Sequence, residues 1–294
     1  MILVAGGTGT LGRCLVARLT EAGHDVRVLT RDAARAAGLV VDVAVGDVLD
    51  PQTLPPAVNG CAAVVSAVHG FTGGRGGGPE AVDQRGNANL VRAALNAGVH
   101  QIVLLSVFDA RPDHPMSLHR AKFAAEQNLF ASGLAWTVLR PTSYAETWAG
   151  VIGTKLPIGG PALVFGQGRN PINFVSVRDV AALVERALTD PELQGQALDI
   201  SGPDNLTMVQ FAHLLGASKT RHIPRLALRA LAVGARPFAP ALARQARAAI
   251  VMDTGRMSAD QTALRSRFQD IAWHHAADVV GPRNLGRSRS NTEP

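Results

Sequence analysis

The chain has 294 residues, of which 47% are hydrophobic, and carries 29 Lys+Arg against 23 Asp+Glu for a formal net charge of +6. That length fits one large α/β domain, alone or with a smaller annex, and the apolar content is ample for a core. No run of about eighteen apolar residues offers a membrane span, and two cysteines without CxxC spacing, Cys14 and Cys61, exclude a zinc or disulfide framework and fit a reduced, cytoplasmic setting.

The opening "MILVA" is fully apolar, as a buried parallel strand requires. With no charged n-region or cleavage site, it is not expected to act as a signal peptide. It runs into "GGTGTLGRCLVARLTEAG", glycine-rich and then helical, with Leu11, Leu15, Val16 and Leu19 on one face. "HDVRVLTR" supplies a second strand. A βαβ unit with glycines at its first turn is the setting of a dinucleotide site. Gly6 and Gly7 permit the tight turn, and Gly9 clears the path of a pyrophosphate. Gly12 lets the helix pack against the sheet, while its N-terminus offers N–H donors and a positive dipole end. Thr8, Thr10 and Leu11 belong to the same turn, and the two hydroxyls can add contacts.

The end of the second strand selects between dinucleotides. An acidic residue there would bind the ribose 2′-hydroxyl and repel a 2′-phosphate, whereas "VLTRD" places Arg31 at that point. A guanidinium forks onto a phosphate and stacks on adenine, so NADP(H) is the expected cofactor, with Arg13 and Arg35 as possible helpers. Asp32 carries the competing NAD(H) reading if the strand ends one residue later.

"LVVDVAVGDVLD" and "CAAVVSAVHG" read as the third and fourth strands, bringing Asp47, Val48, Ala67, Val68 and His69 to carboxyl ends. "HGFTGGRGGGPE" lacks the GK[ST] of a P-loop and is expected as a mobile loop or lid. "PEAVDQRGNANLVRAALNAGV" is helical, and "HQIVLLSVFDA" is a fifth strand ending at Ser106. "MSLHRAKFAAE" opens a helix carrying Lys122, and "LAWTVLRP" is a sixth strand ending at Pro141 before Tyr144. The alternation predicts an α/β, Rossmann-type doubly wound parallel sheet with a smaller, mainly helical C-terminal region.

"GGTGTLG", "VLTR", "LLSV", "AKFAAEQNLFASGLAWTVLRP" and "NFVSVRDVA", in this order, resemble the NmrA-like atypical short-chain dehydrogenase/reductase family over roughly residues 1–215. That family includes quinone-reductase-like enzymes, phenylpropanoid and isoflavone reductases, and NADP sensors without catalysis. The resemblance implies an NADP-binding core over 1–142 and a substrate-side region over 143–281. The latter includes chain returns to the core (171–215) and a helical cap (224–257); beyond it, the polar, Gly- and Pro-containing residues 282–294 are expected as a disordered tail. The resemblance also implies an adenine contact for Asp47 and a serine–lysine pair, Ser106 and Lys122. The tyrosine four residues before that lysine is missing: Leu118 stands there, and the sole tyrosine is Tyr144. The candidate catalytic residues are therefore Lys122 (ribose anchor and proton relay), Ser106, His119 and Tyr144. Cofactor contacts are expected from Gly6, Thr8, Gly9, Thr10, Leu11, Gly12, Arg31, Asp47, Val48, Ala67, Val68, Lys122 and Pro141, with no metal.

Two readings stay open at this stage. In one, the chain is an NADPH-dependent reductase of a small cyclic or aromatic carbonyl, enone or quinone, whose apolar pocket draws on Tyr144, Trp148, Phe71 and Phe108. In the other it is a non-catalytic NADP-binding regulator acting through a protein partner. The charge is uneven: residues 1–218 hold 16 Lys+Arg and 18 Asp+Glu, a net of −2, whereas 219–294 hold 13 and 5, a net of +8. That basic quarter suits a solvated face, an anionic ligand or a membrane surface. It has few aromatic residues and no helix-turn-helix or zinc-finger spacing, which disfavours nucleic acid. A homodimer is compatible with the sequence, and no membrane partner is expected.

Overall fold

A computed structural model describes residues 1–74, 76–153 and 160–280; the expected disordered tail lies outside the described residues. The chain divides into two compact units, one of Met1–Pro141 with Val180–Asp199, the other of Thr142–Asp179 with the chain from Ile200 onward.

The first unit is built on a seven-stranded sheet. Its strands are β1 (Ile2–Ala5), β2 (Val26–Thr30), β3 (Asp42–Val45), β4 (Ala63–Ser66), β5 (Gln101–Leu105), β6 (Ala135–Pro141) and, from the second unit's return, β10 (Gln196–Ile200). The order is β10-β6-β5-β4-β1-β2-β3, and the pairs from β6 through β3 are parallel. Chain order runs outward from β1 to β3 on one side and from β4 to β6 on the other. Right-handed crossovers taken in opposite directions put helices on opposite faces, which makes the sheet doubly wound. The helices are α1 (Thr10–Glu21), α2 (Leu54–Val58), α3 (Asn87–Asn96), α4 (Ser117–Phe130) and most of α6 (Val177–Thr189). β1 and β4 are buried at every residue, as strands covered on both faces must be. One core cluster joins Leu3 and Ala5 of β1 to Val64, Ile102 and Leu104, under Leu90, Val91 and Leu129 of α3 and α4.

One feature departs from the sequence reading and a second adds to it. The helix expected from Pro79 opens as a π-helical turn, Glu80–Gly86, before α3 begins. The glycine-rich stretch after His69, expected as a mobile lid, folds back on itself. A Cβ on Gly70 would lie 2.6 Å from the Gly78 carbonyl oxygen, and one on Gly73 only 1.8 Å from that of Gly77. Gly70 and Gly73 serve close backbone approach, whereas Gly74 and Gly76 have open space around them.

The second unit holds a three-stranded sheet, in the order β11 (Asp204–Leu206), β9 (Ile172–Val175), β7 (Ser143–Tyr144). A parallel pair, β8 (Pro161–Phe165) and β12 (Lys219–Ile223), accompanies it. Its helices are α5 (Ala145–Gly153), α7 (Met208–Leu214), α8 (Arg225–Gly234), α9 (Pro240–Thr254), α10 (Thr262–Arg267) and α11 (Ala276–Val280). Phe174 and Phe211, stacked at 4.4 Å between centroids, anchor its core. Asp253 of α9 accepts from Arg225 Nε at 2.5 Å and from the backbone N–H groups of Gln167 and Gly168, tying α8, α9 and the loop after β8 together.

Candidate functional site

Gly6 and Ala67 follow β1 and β4, which pair as Ala5↔Ser66. These two strands flank the point where the strand order reverses, the place at which open α/β sheets bind ligands. Gly6 takes φ +88°, and a Cβ there would sit 2.7 Å from the Ala67 carbonyl oxygen. At Gly12 a Cβ would meet the Gly6 carbonyl oxygen at 2.1 Å, and at Gly7 it would meet Val28 at 2.9 Å. The protein's own packing requires those three glycines.

Gly9 is different. It is exposed, and its Cβ would touch nothing closer than the Gly6 oxygen at 3.4 Å. Packing does not demand a glycine there, but a group resting on the backbone does. Gly9 is also the N-cap of α1 and supplies no side-chain cap. The first-turn N–H donors thus lie at a cleared surface with the positive end of the helix dipole behind them, which fits a pyrophosphate. Thr8 and Thr10 border this surface, whereas Leu11 is buried and packs the helix down.

β2 ends at Thr30, so Arg31 is the first residue beyond the strand and is exposed. Asp32, also exposed, accepts from the Ala34 N–H at 2.9 Å through one carboxylate oxygen, capping a short 3₁₀ helix. That cap uses one of the two carboxylate oxygens on which the competing NAD(H) reading depends. Arg13 donates to the Arg35 carbonyl at 2.5 Å, bracing the same corner. Asp47 holds the turn after β3 through the Leu49 N–H, and Val48 is buried against Gly86, where a Cβ would approach Val48 to 2.7 Å.

Lys122 lies on the buried face of α4 with 4% of its surface exposed. Its ammonium donates to the carbonyls of Val68 (2.9 Å) and Leu105 (2.8 Å), and pairs with Asp83 at 3.1 Å. Asp83 is fully buried in the π-helical turn, and its other oxygen accepts from the Gly70 N–H at 2.8 Å. Lys122 therefore fastens together the ends of β4 and β5, the start of the glycine loop and the π-helical turn. An ammonium has three protons: two are held by carbonyls, while the Asp83 oxygen beside it is paired by charge and accepts no hydrogen bond.

Ser106, just past β5, is committed in a similar way. Its hydroxyl donates to Glu126, one helical turn beyond Lys122 and fully buried. Arg140 of β6 holds Glu126 in a two-pronged pair, Nε to Oε1 at 3.0 Å and an Nη to Oε2 at 2.6 Å. The sequence reading missed Asp83, Glu126 and Arg140. A signal for Glu126 was present: Lys122 and Glu126 are four apart on the face that also carries Ala121, Ala125 and Leu129. Two opposite charges on an otherwise apolar helical stripe announce internal partners.

His119 stacks on His114 at 3.9 Å between centroids, and both rings are buried. Burial, with the nearby His114 and Arg111, pushes the His119 pKa down to about 3, so the ring is neutral at working pH. Its Nδ1 is buried without a hydrogen-bond partner. His114 Nδ1 accepts from the Met116 N–H, and its Nε2 faces Asp109 at 3.5 Å. Phe71 and Phe108 are half-buried in this unit, and Pro141 is buried at the end of β6.

Tyr144 and Trp148 belong to the second unit. Tyr144 closes β7 opposite Val175, and desolvation, reinforced by the negative Glu146, holds its phenol above the usual value. Trp148 packs on Phe165 at 5.8 Å. Among the described residues no cluster of three or more His, Cys, Asp or Glu could hold a metal.

The profile of an NAD(P)H-binding family matches residues 6–191. An NAD(P)H azoreductase of Xenophilus azovorans is 34% identical over 234 residues, 78% of this chain and 77% of that protein. A photosystem II assembly factor of Synechocystis sp. is 32% identical over 197 residues, 64% of this chain and 58% of that protein. Among solved structures, an NADPH-dependent quinone oxidoreductase from Escherichia coli, complexed with NADPH, superposes with a TM-score of 0.75 at 21% identity. That match covers 95% of this chain and 98% of the other.

Proposed function

Because the chain belongs to the NAD(P)H-binding family of atypical short-chain dehydrogenase/reductases, we propose that it is an NADPH-dependent oxidoreductase reducing a small cyclic or aromatic carbonyl, enone or quinone. The observation that carries this reading is the uncapped N-terminus of α1 behind Gly9, where no side chain stands between the helix donors and a pyrophosphate. The first-turn N–H groups bind that pyrophosphate, with Thr8 and Thr10 at its edge. Arg31 takes the 2′-phosphate, and Asp47 lies on the adenine side. A reduced nicotinamide, when bound, supplies the hydride.

The acceptor class follows from what the chain does not spend on proton transfer. Ser106 gives its hydroxyl to Glu126, and Lys122 gives two protons to carbonyls and its charge to Asp83. Both act here as positioning residues, and the Lys122 proton that no carbonyl holds is the one that can turn to a ribose hydroxyl. Neutral His119 adds no strong acid to the residues the first unit gathers there. Conjugated acceptors suit such a site, because hydride transfer leaves a stabilised oxyanion that water protonates, and the protein contributes mainly orientation.

The same internal commitments would suit a non-catalytic NADP-binding regulator, the second reading, and one relative is named an assembly factor. Steady-state NADPH oxidation across a panel of quinones, enones and aromatic carbonyls separates the two. The enzyme reading expects turnover of at least one acceptor, with Ser106→Ala losing less than about tenfold. A lost general acid would cost roughly 10²–10⁴-fold. Tight NADPH binding with no turnover on any acceptor overturns the enzyme reading in favour of the regulator.

A further inference from the structure

Residues 225–247, "RLALRALAVGARPFAPALARQAR", contain five arginines and no Asp or Glu. They form α8, a proline-flanked turn and the first half of α9. Leu228 is the only buried residue of α8. Leu226, Arg229, Ala230 and Val233 follow an i, i+3, i+4, i+7 spacing and so share one face. That face is turned to solvent: Leu226 is 77% exposed and Val233 75%. At the turn, Phe238 is 87% exposed. Apolar residues at this spacing normally seat a helix on a core, yet here a second apolar stripe lies opposite Leu228. Arg229, Arg236 and Arg247 are exposed around it, whereas Arg225 is engaged by Asp253.

We propose that α8 and the turn carrying Phe238 form a peripheral docking surface for an anionic lipid membrane. Charge decides the occupant. A second copy meeting this face symmetrically would set arginine against arginine with no acid on either side of the segment. An anionic bilayer complements the arginines and also receives the leucine–valine stripe and the projecting phenylalanine at its headgroup boundary. No helix among the described residues is long and apolar enough to cross a membrane, so the attachment is to the surface. It is independent of the reading of the nucleotide site.

The test is co-sedimentation of the full chain with vesicles of phosphatidylcholine alone and of phosphatidylcholine mixed with phosphatidylglycerol. Binding is expected only to the mixed vesicles, and weaker at high salt. Arg229→Glu should lower the partition coefficient by at least about fivefold, the equivalent of one lost basic contact near a charged surface. Leu226→Glu with Phe238→Glu should abolish binding, with thermal melting and NADPH affinity unchanged because these side chains face solvent. Absence of binding to mixed vesicles overturns the proposal, as does binding that the variants leave intact. Loss of a dimer in sedimentation by the same variants, without vesicle binding in the wild type, overturns it in favour of a second copy. Binding to polyglutamate but not to vesicles overturns it in favour of an acidic protein.

Discussion

At the scale of single residues, the most informative group is Lys122, whose surroundings make it a fastener before it is a catalyst. Removing it leaves Asp83 charged, fully buried and without its ammonium. Losing one partner of a buried ion pair costs roughly 3–5 kcal/mol. Lys122→Met should therefore lower stability by about that amount in urea unfolding. Lys122→Met with Asp83→Asn should recover most of it, since a neutral amide still accepts from the Gly70 N–H. A Lys122→Met variant with wild-type stability and abolished turnover would instead make the lysine a directly catalytic group. His119 offers a separate check through pH. Its folded pKa of about 3 lies below the ordinary 6.5, so below pH 6.5 the unfolded chain binds a proton that the folded chain refuses. Its contribution to stability is complete above that pH and falls as the pH drops towards 3, by at most about 1.4 kcal/mol per pH unit. His119→Phe keeps a stacked ring and removes the titration. The slope of unfolding free energy between pH 6 and 4 should shrink by about one proton, and an unchanged slope would mean that other groups carry it.

Among the elements, the β1–glycine–α1 unit allows packing and binding to be separated. Gly12→Ala puts a methyl 2.1 Å from the Gly6 carbonyl oxygen, whereas Gly9→Ala meets nothing inside 3.4 Å. Thermal melting and NADPH titration should separate them: Gly12→Ala destabilises the fold, while Gly9→Ala keeps the melting temperature and weakens NADPH binding at least tenfold. Equal NADPH affinity in Gly9→Ala would remove the pyrophosphate from that surface. This unit was legible in the sequence because its determinants are local: an apolar run, a glycine turn and an amphipathic helix are contiguous. The six strands from "MILVA" to "LAWTVLRP" were legible for the same reason. The π-helical turn was not, because it exists to present Asp83 to Lys122, thirty-nine residues away in the chain. In the stretch after His69 the glycine content was legible, but the backbone approaches at Gly70 and Gly73 were not. Such carbonyl-to-glycine approaches are tertiary facts. Ser106 was singled out by the family resemblance and Glu126 left a signal on the α4 stripe, but the Arg140 clamp required strand β6 beside β5 to become visible.

At the level of the whole molecule, a doubly wound sheet brings a bare helix N-terminus to its switch point, and two buried carboxylates immobilise the serine and lysine nearby. A chain so arranged is suited to orient a cofactor and an acceptor and to leave protonation to water. It carries its basic charge in another region, where α8 faces solvent. The proposed chemistry is direct hydride transfer from NADPH to a bound acceptor. The most direct measurement is the mass of the product formed from an enone acceptor with NADPH dideuterated at C4 of the nicotinamide. One deuterium on the β-carbon of the product, with the α-proton drawn from solvent, is the predicted result. Unlabelled product, or no consumption of NADPH by any acceptor, would contradict it.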